Sequence, residues 1–127
     1  MSGLSPLEIA VASAIAAQIS SDKGAALNRQ LSTARVTSRE FTGVGFFTEF
    51  TVDHTLPRSE VPANPGGWVQ SRVGPKEYPL EFMLYVRDGF AEMIEAYSFL
   101  DGYDDFDLLN CDFTQPEAFT PAVPPLS

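Results

Sequence analysis

The chain has 127 residues, about the size of one domain with its own core, and a net charge of −9. Its hydrophobic content of 44% is too high for intrinsic disorder, and no apolar run reaches the roughly 20 residues of a membrane-spanning helix. Because negative charge opposes phosphate binding, we expect no nucleic-acid partner, and we expect no membrane association.

The charge is unevenly distributed along the chain. Residues 1–87 contain eight acids and eight bases, whereas residues 88–127 contain nine acids and no base. The whole net charge therefore lies in the C-terminal part. This asymmetry indicates a cationic partner, a bound metal ion or a role in solubility.

Cysteine and signal content suggest the compartment. Cys111 is the only cysteine, which excludes an intramolecular disulfide and a cysteine cluster for zinc. Residues 7–19 are rich in alanine, but no base precedes Lys23, so we interpret them as structure and not as a signal peptide. We expect a cytoplasmic protein.

The first element is a helix predicted over residues 6–20. Ser5 provides an N-cap hydroxyl, Pro6 occupies the first helical position, and Glu8 completes a capping box. Residues 25–31 are expected to add a further turn or two. The apolar positions recur every three or four residues and predict a stripe that faces the core: Leu7, Val11, Ala14, Ile15 and Ile19.

Strand signals follow from residue 33 onward. Alternation is clearest over residues 44–52, and residues 34–41, which contain Arg35 and Arg39, read as a strand near an edge. Residues 54–67 contain three prolines and paired glycines, which predicts a loop because proline donates no ladder hydrogen bond. Residues 68–73 predict a short strand.

A hairpin is predicted over residues 79–99, where Asp88-Gly89 joins two apolar runs. The alternative is a helix over residues 90–100, whose apolar residues also have helical spacing. In the hairpin register, Phe82 faces Glu95. The second face of this hairpin carries apolar residues that predict a homo-oligomer contact: Met83, Tyr85, Phe90 and Ile94.

Glu95 is the unusual residue of this hairpin, because the predicted register places its carboxylate on an apolar face. Desolvation would raise its pKa unless a cation compensates, and Arg35, Arg39 or Arg72 could supply one. Two interpretations stay open. Glu95 reaches water or forms a structural ion pair, or it belongs to a small-molecule or substrate pocket between helix and sheet.

The acidic segment beyond residue 100 combines carboxylates with aromatic residues, and we expect it to bind a partner through Asp101, Tyr103, Asp104, Asp105, Phe106 and Asp107. Alternate carboxylates could attract calcium, but the spacing fails the calcium-loop pattern, so we expect no metal and no other cofactor. His54 is the only histidine and has no catalytic sequence context, which favours a protein that is not an enzyme.

Three segments carry a resemblance to known proteins. Residues 39–50 read REFTGVGFFTEF, and Asp88-Gly89 is followed by IEAYSF at residues 94–99. This layout resembles small uncharacterised bacterial α+β proteins in which a TGVGF strand precedes a hairpin that ends near an LEGYTY segment. It spans roughly residues 30–102, and Ala96 replaces a preferred glycine. The resemblance implies no settled activity; some acidic bacterial proteins of this size are immunity proteins to toxins.

Together these patterns predict one α+β domain over residues 1–127. We expect an N-terminal helix packed on a mainly antiparallel sheet of about four to six strands within residues 33–99, followed by an irregular acidic, proline-rich segment over residues 100–127. The leading functional hypothesis is a non-enzymatic binding protein whose acidic C-terminal surface engages a cationic protein. The alternative is a small-molecule binder or enzyme built around Glu95.

Overall fold

The computed structural model describes residues 3–19, 21–42, 45–63, 65, 69–74, 77–98 and 111–118. These residues form two helices and one antiparallel sheet of six strands, in the order β1-β2-β5-β4-β3-β6. The predicted α+β class is confirmed. The elements are α1 (Pro6–Ala16), α2 (Ser21–Leu31), β1 (Arg35–Phe41), β2 (Gly45–Thr51), β3 (Val69–Val73), β4 (Tyr78–Arg87), β5 (Phe90–Tyr97) and β6 (Glu117–Ala118).

The start of α1 follows the predicted capping box. The Glu8 N–H donates to the Ser5 hydroxyl at 3.2 Å, and the Ser5 N–H donates to the Glu8 carboxylate at 2.7 Å. The helix ends at Ala16, earlier than predicted, and α2 is a full second helix. A Cβ on Gly24 would lie 2.6 Å from the Ala16 carbonyl oxygen, so the two helices meet at a corner that needs glycine.

Both helices pack on one face of the sheet, which we call the inner face. Leu7, Val11 and Ile15 of α1 join Leu27 of α2 in the core, and each is 1% exposed or less. Side chains that alternate along the strands point to the opposite side of the sheet, the outer face. The helices contact the layer of strand side chains on the inner face: Phe46, Phe50, Val69, Val73, Leu80, Phe82, Leu84, Val86, Ile94 and Ala96. Burial of each large apolar side chain stabilises the fold by about 2 kcal/mol.

The turn between β4 and β5 confirms the predicted hairpin and shows that the helix alternative is wrong. Asp88 has a φ of 53° and Gly89 a φ of 83°, the positive values that a type I′ turn requires at both central positions. Asparagine, aspartate and glycine tolerate this region better than other residues do. The Asp88-Gly89 dipeptide therefore specifies the turn locally.

A β-bulge changes the register of this hairpin after its first two pairs. Arg87 faces Phe90 as predicted, but Tyr85 faces Met93, because β5 contains one extra residue at the bulge. A slip of one residue moves every following side chain to the opposite face. Glu95 consequently faces Met83 and lies on the outer face, so its predicted place on the apolar face opposite Phe82 is wrong.

The buried carboxylate of Glu8 connects α1 with two strands. Glu8 is 0% exposed, and the Arg39 guanidinium on β1 donates to it at 2.6 and 3.3 Å. The Thr48 hydroxyl on β2 also donates to this carboxylate. Burial alone would raise the pKa of Glu8, but hydrogen bonds from Arg39, Ser5 and Thr48 and the charge of Arg39 together lower it.

Strand β1 forms one edge of the sheet, as its irregular pattern predicted. Most of its side chains are exposed, and its pairing with β2 shifts register between Val36 and Ser38. Val36 and Arg39 are half-buried, and the Arg39 side chain points to the inner face and reaches Glu8. One residue of this edge strand therefore fixes the strand to the first helix.

Removal of the Arg39 guanidinium should destabilise the fold strongly. We expect Arg39→Leu to lower the free energy of unfolding by about 3 kcal/mol, because it leaves the Glu8 carboxylate buried without a cation. Urea unfolding at neutral pH measures this change. The matched control Arg35→Leu removes an exposed arginine from the same strand and should leave the midpoint nearly unchanged. Equal losses in both variants would show that the ion pair is not responsible.

The stability contribution of Glu8 should depend on pH. Since its folded-state pKa lies below the ordinary value of 4.5, its stabilisation is fully present above that value and is lost as pH falls through the folded-state pKa. We expect the wild type to exceed Glu8→Gln in stability at pH 7. The difference should shrink below about pH 4.5 in urea unfolding series. A difference that stays constant down to pH 3 would contradict this prediction.

Candidate functional site

The outer face of the three central strands, β2, β5 and β4, combines glutamates with aromatic and methionine side chains. Alternation and register place ten residues there: Phe47, Glu49, Thr51, Glu81, Met83, Tyr85, Arg87, Met93, Glu95 and Tyr97. The aromatic and methionine residues among them are half-buried. This surface is the candidate functional site, and we call it the outer face throughout.

Glu95 lies near the centre of the outer face and is half-buried. The Tyr85 hydroxyl donates to its carboxylate at 2.6 Å, which is the diagonal contact expected between neighbouring antiparallel strands. The predicted pocket around Glu95 between helix and sheet is wrong, because both helices pack on the other face. Arg39, one of the cations predicted for Glu95, instead binds Glu8.

Glu81 shows that part of this surface is already desolvated. It is half-buried opposite Tyr97, and burial raises the pKa of its carboxyl above the ordinary value. Glu49 is more exposed and accepts a hydrogen bond from the Ser38 hydroxyl at 3.3 Å. The carboxylates of the outer face therefore range from exposed to partly buried.

The predicted homo-oligomer face is not formed as expected. Met83 and Tyr85 lie on the outer face, but Phe90 is 7% exposed and Ile94 is 0% exposed within the core. The bulge lies between Phe90 and Ile94, because it follows the first two pairs of the hairpin, and the shift in register turns Ile94 to the inner face. Phe90 and Ile94 are therefore core residues and cannot contribute to a contact with a second copy.

The other predicted site residues, at positions 101–107, lie outside the described residues. The described residues that flank them are at one end of the sheet, because β5 ends at Tyr97 while Phe113 bridges Val73 at the end of β3. The Gly74 N–H also donates to the Asp112 carbonyl oxygen at 2.8 Å. Among the residues that the structure describes, no group of three or more potential metal ligands is found.

The opposite end of the sheet holds His54, whose ring stacks on Phe90 with centroids 4.1 Å apart and an interplanar angle of 5°. The Arg58 guanidinium carbon lies 5.4 Å from the centre of the same ring. A cleft of about 310 Å³ adjoins this stack. The stack covers Phe90 and fixes the loop that follows β2 and contains His54 and Arg58. The described contacts of His54 are therefore packing contacts.

Gln30 holds this loop against the hairpin turn, and sequence analysis missed it. Its buried amide donates to the carbonyl oxygens of Gly89 at 2.8 Å and Pro57 at 3.1 Å, and it accepts from the Ala91 N–H at 3.0 Å. The Ser59 N–H also donates to the Gly89 carbonyl oxygen. A glutamine in a mostly polar helix gives no sequence signal of burial, so only the tertiary structure reveals this role.

Comparison with known proteins gives no assignment. The chain matches no protein-family model, no curated protein and no solved structure. The resemblance to small bacterial α+β proteins therefore stays a prediction. Among the described helices, none is long and apolar enough to cross a membrane.

Loss of the Gln30 amide should loosen the loop. We expect Gln30→Leu to cost about 2 kcal/mol of unfolding free energy, because the Ala91 N–H and the Pro57 carbonyl oxygen lose the Gln30 amide as a partner and the Gly89 carbonyl oxygen keeps only the Ser59 N–H. Amide hydrogen exchange should show faster exchange at Ala91, whose N–H the Gln30 oxygen accepts. Gln18→Leu, at an exposed glutamine, is the control. Unchanged protection of Ala91 would contradict the role of Gln30.

Proposed function

We propose that the protein is a non-enzymatic interaction protein whose acidic C-terminal surface engages a cationic protein. The observation that carries this proposal is the charge distribution, with nine acids and no base in residues 88–127. Such a field attracts a partner of opposite charge over distances of about 8 Å at physiological salt. The partner would be a protein with a basic surface.

The placement of the described acids supports the proposal. Glu92 and Glu95 of β5 belong to the acidic C-terminal part, and Glu95 lies on the outer face beside Glu49 and Glu81, which precede that part. In the proposal, the aspartates at positions 101, 104, 105 and 107 supply long-range attraction. Tyr103 and Phe106 supply contact area.

The large buried polar side chains hold the elements of the fold together. Glu8 and Gln30 are fully buried, and both are engaged in hydrogen bonds that join α1 and α2 to the sheet and its loops. Among the described residues, no buried side-chain nitrogen or oxygen lacks a partner.

Neutralisation of the aspartates should slow association with the partner. Once a partner has been captured from the source cell and purified, stopped-flow kinetics can compare the wild type with the variant Asp101→Asn, Asp104→Asn, Asp105→Asn and Asp107→Asn. We expect the association rate to fall about tenfold at low salt, because electrostatic steering is lost. The two proteins should converge at high salt.

A matched pair of double variants separates position from net charge. Asp104→Asn with Asp105→Asn removes two charges from the acidic segment, whereas Asp22→Asn with Glu60→Gln removes two exposed charges from elsewhere. We expect only the double variant Asp104→Asn with Asp105→Asn to slow association. An association rate unchanged by the fourfold variant would show that the proposed electrostatic mechanism is wrong.

A further inference from the structure

Three glutamates form a diagonal line across the outer face. Glu49 on β2 faces Met93, Glu95 on β5 faces Phe47 and Met83, and Glu81 on β4 faces Tyr97. Each glutamate is thus on the next strand and two residues further along the strand direction than the one before it. With strands about 4.8 Å apart and a rise of about 3.4 Å per residue, the line is about 17 Å long.

Apolar side chains flank this acidic line on both sides. Phe47 and Tyr97 lie on one side, and Met83, Tyr85 and Met93 lie on the other. Two of the three methionines of the chain are therefore on this face. Methionine and aromatic side chains provide large contact area that adapts to a partner.

The charge of the acidic line is not balanced within the described structure. The one ion pair among the described residues joins Arg39 to Glu8 on the inner face. Arg87 is the only base on the outer face of the three central strands, and it lies at the end of β4. A cationic partner would therefore complement this face, as opposite potentials do across protein interfaces.

The layer arrangement points to a helix as the partner element. An antiparallel sheet commonly leaves one face in water, but a second face with half-buried apolar side chains can bury them under a helix, because helix on sheet is a stable layer arrangement. Here α1 and α2 cover the inner face, and no described helix covers the outer face. A second copy of this chain fits poorly, because its own acidic line would face the same charges.

We propose that the outer face of β2, β5 and β4 is a docking surface for a cationic amphipathic helix. The helix would present a stripe of lysine or arginine to Glu49, Glu95 and Glu81, with apolar residues on both sides of the stripe. A helix of three turns is about 16 Å long, which matches the acidic line. This inference rests on the proposed function, since it specifies the kind of cationic protein that binds.

A synthetic peptide tests the docking surface directly. The probe is a helical peptide of leucine and lysine, with lysines at every third or fourth position in one stripe, and the control has the same composition in scrambled order. We expect the ordered peptide to shift the methyl signals of Met83 and Met93 in NMR titrations and to bind at least about tenfold more tightly than the control. Met83→Leu and Met93→Leu assign the two signals.

Isosteric variants test the glutamates. Glu49→Gln with Glu95→Gln should weaken peptide binding about tenfold, because two charges are lost within the contact area. The matched control Asp22→Asn with Glu60→Gln removes the same charge from exposed positions elsewhere and should bind like the wild type. Circular dichroism confirms that each variant is folded.

The proposed docking surface is overturned if the ordered peptide does not bind at millimolar concentration, if the scrambled peptide binds equally well, or if both double variants weaken binding alike. The fourfold aspartate variant separates this inference from the proposed function. If it leaves the association rate of the natural partner unchanged while the Glu49 and Glu95 variant loses peptide binding, the docking surface stands and the role of the acidic segment is wrong. If the fourfold variant slows association while the Glu49 and Glu95 variant still binds the peptide like the wild type, the docking surface is wrong and the role of the acidic segment stands.

Discussion

One buried carboxylate determines how the first helix lies on the sheet. Glu8 is neutralised and hydrogen-bonded by groups from three places: the start of its own helix, Arg39 on the edge strand and Thr48 on the adjacent strand. A buried charge without these partners would cost several kcal/mol, so any sliding of α1 that separates them is strongly opposed. The apolar packing supplies most of the driving force, whereas this site selects one arrangement.

Local signals made much of the fold predictable from sequence. The start of α1 was readable because Ser5 and Glu8 form a capping box within one turn, and the β4–β5 turn was readable because Asp88-Gly89 suits positive φ. Residues 25–31 of α2 were expected to be helical, but its first turn was missed, since the contact of Gly24 with the preceding helix is visible only in the tertiary structure. Gln30 was missed for the same reason, because its partners are 27 to 61 residues away.

The candidate site was only partly predictable, because its composition depends on a single extra residue in β5. Periodicity identified Glu95, Met83 and Tyr85 but assigned Glu95 to the wrong side of the sheet. A bulge depends on how two strands fit together, and a pattern of alternating residues cannot show which strand carries the additional one. The same shift puts Ile94 and Ala96 in the core and joins the carboxylates into one surface.

The irregular pairing of β1 has a consequence for behaviour at high concentration. An open sheet exposes an edge whose backbone groups can pair with another molecule and grow into fibrils. The register shift between Val36 and Ser38 interrupts that edge, and the charged side chains of Arg35 and Glu40 are exposed along it. These features oppose edge-to-edge polymerisation, so the strand that fixes the first helix also limits self-assembly into cross-β aggregates.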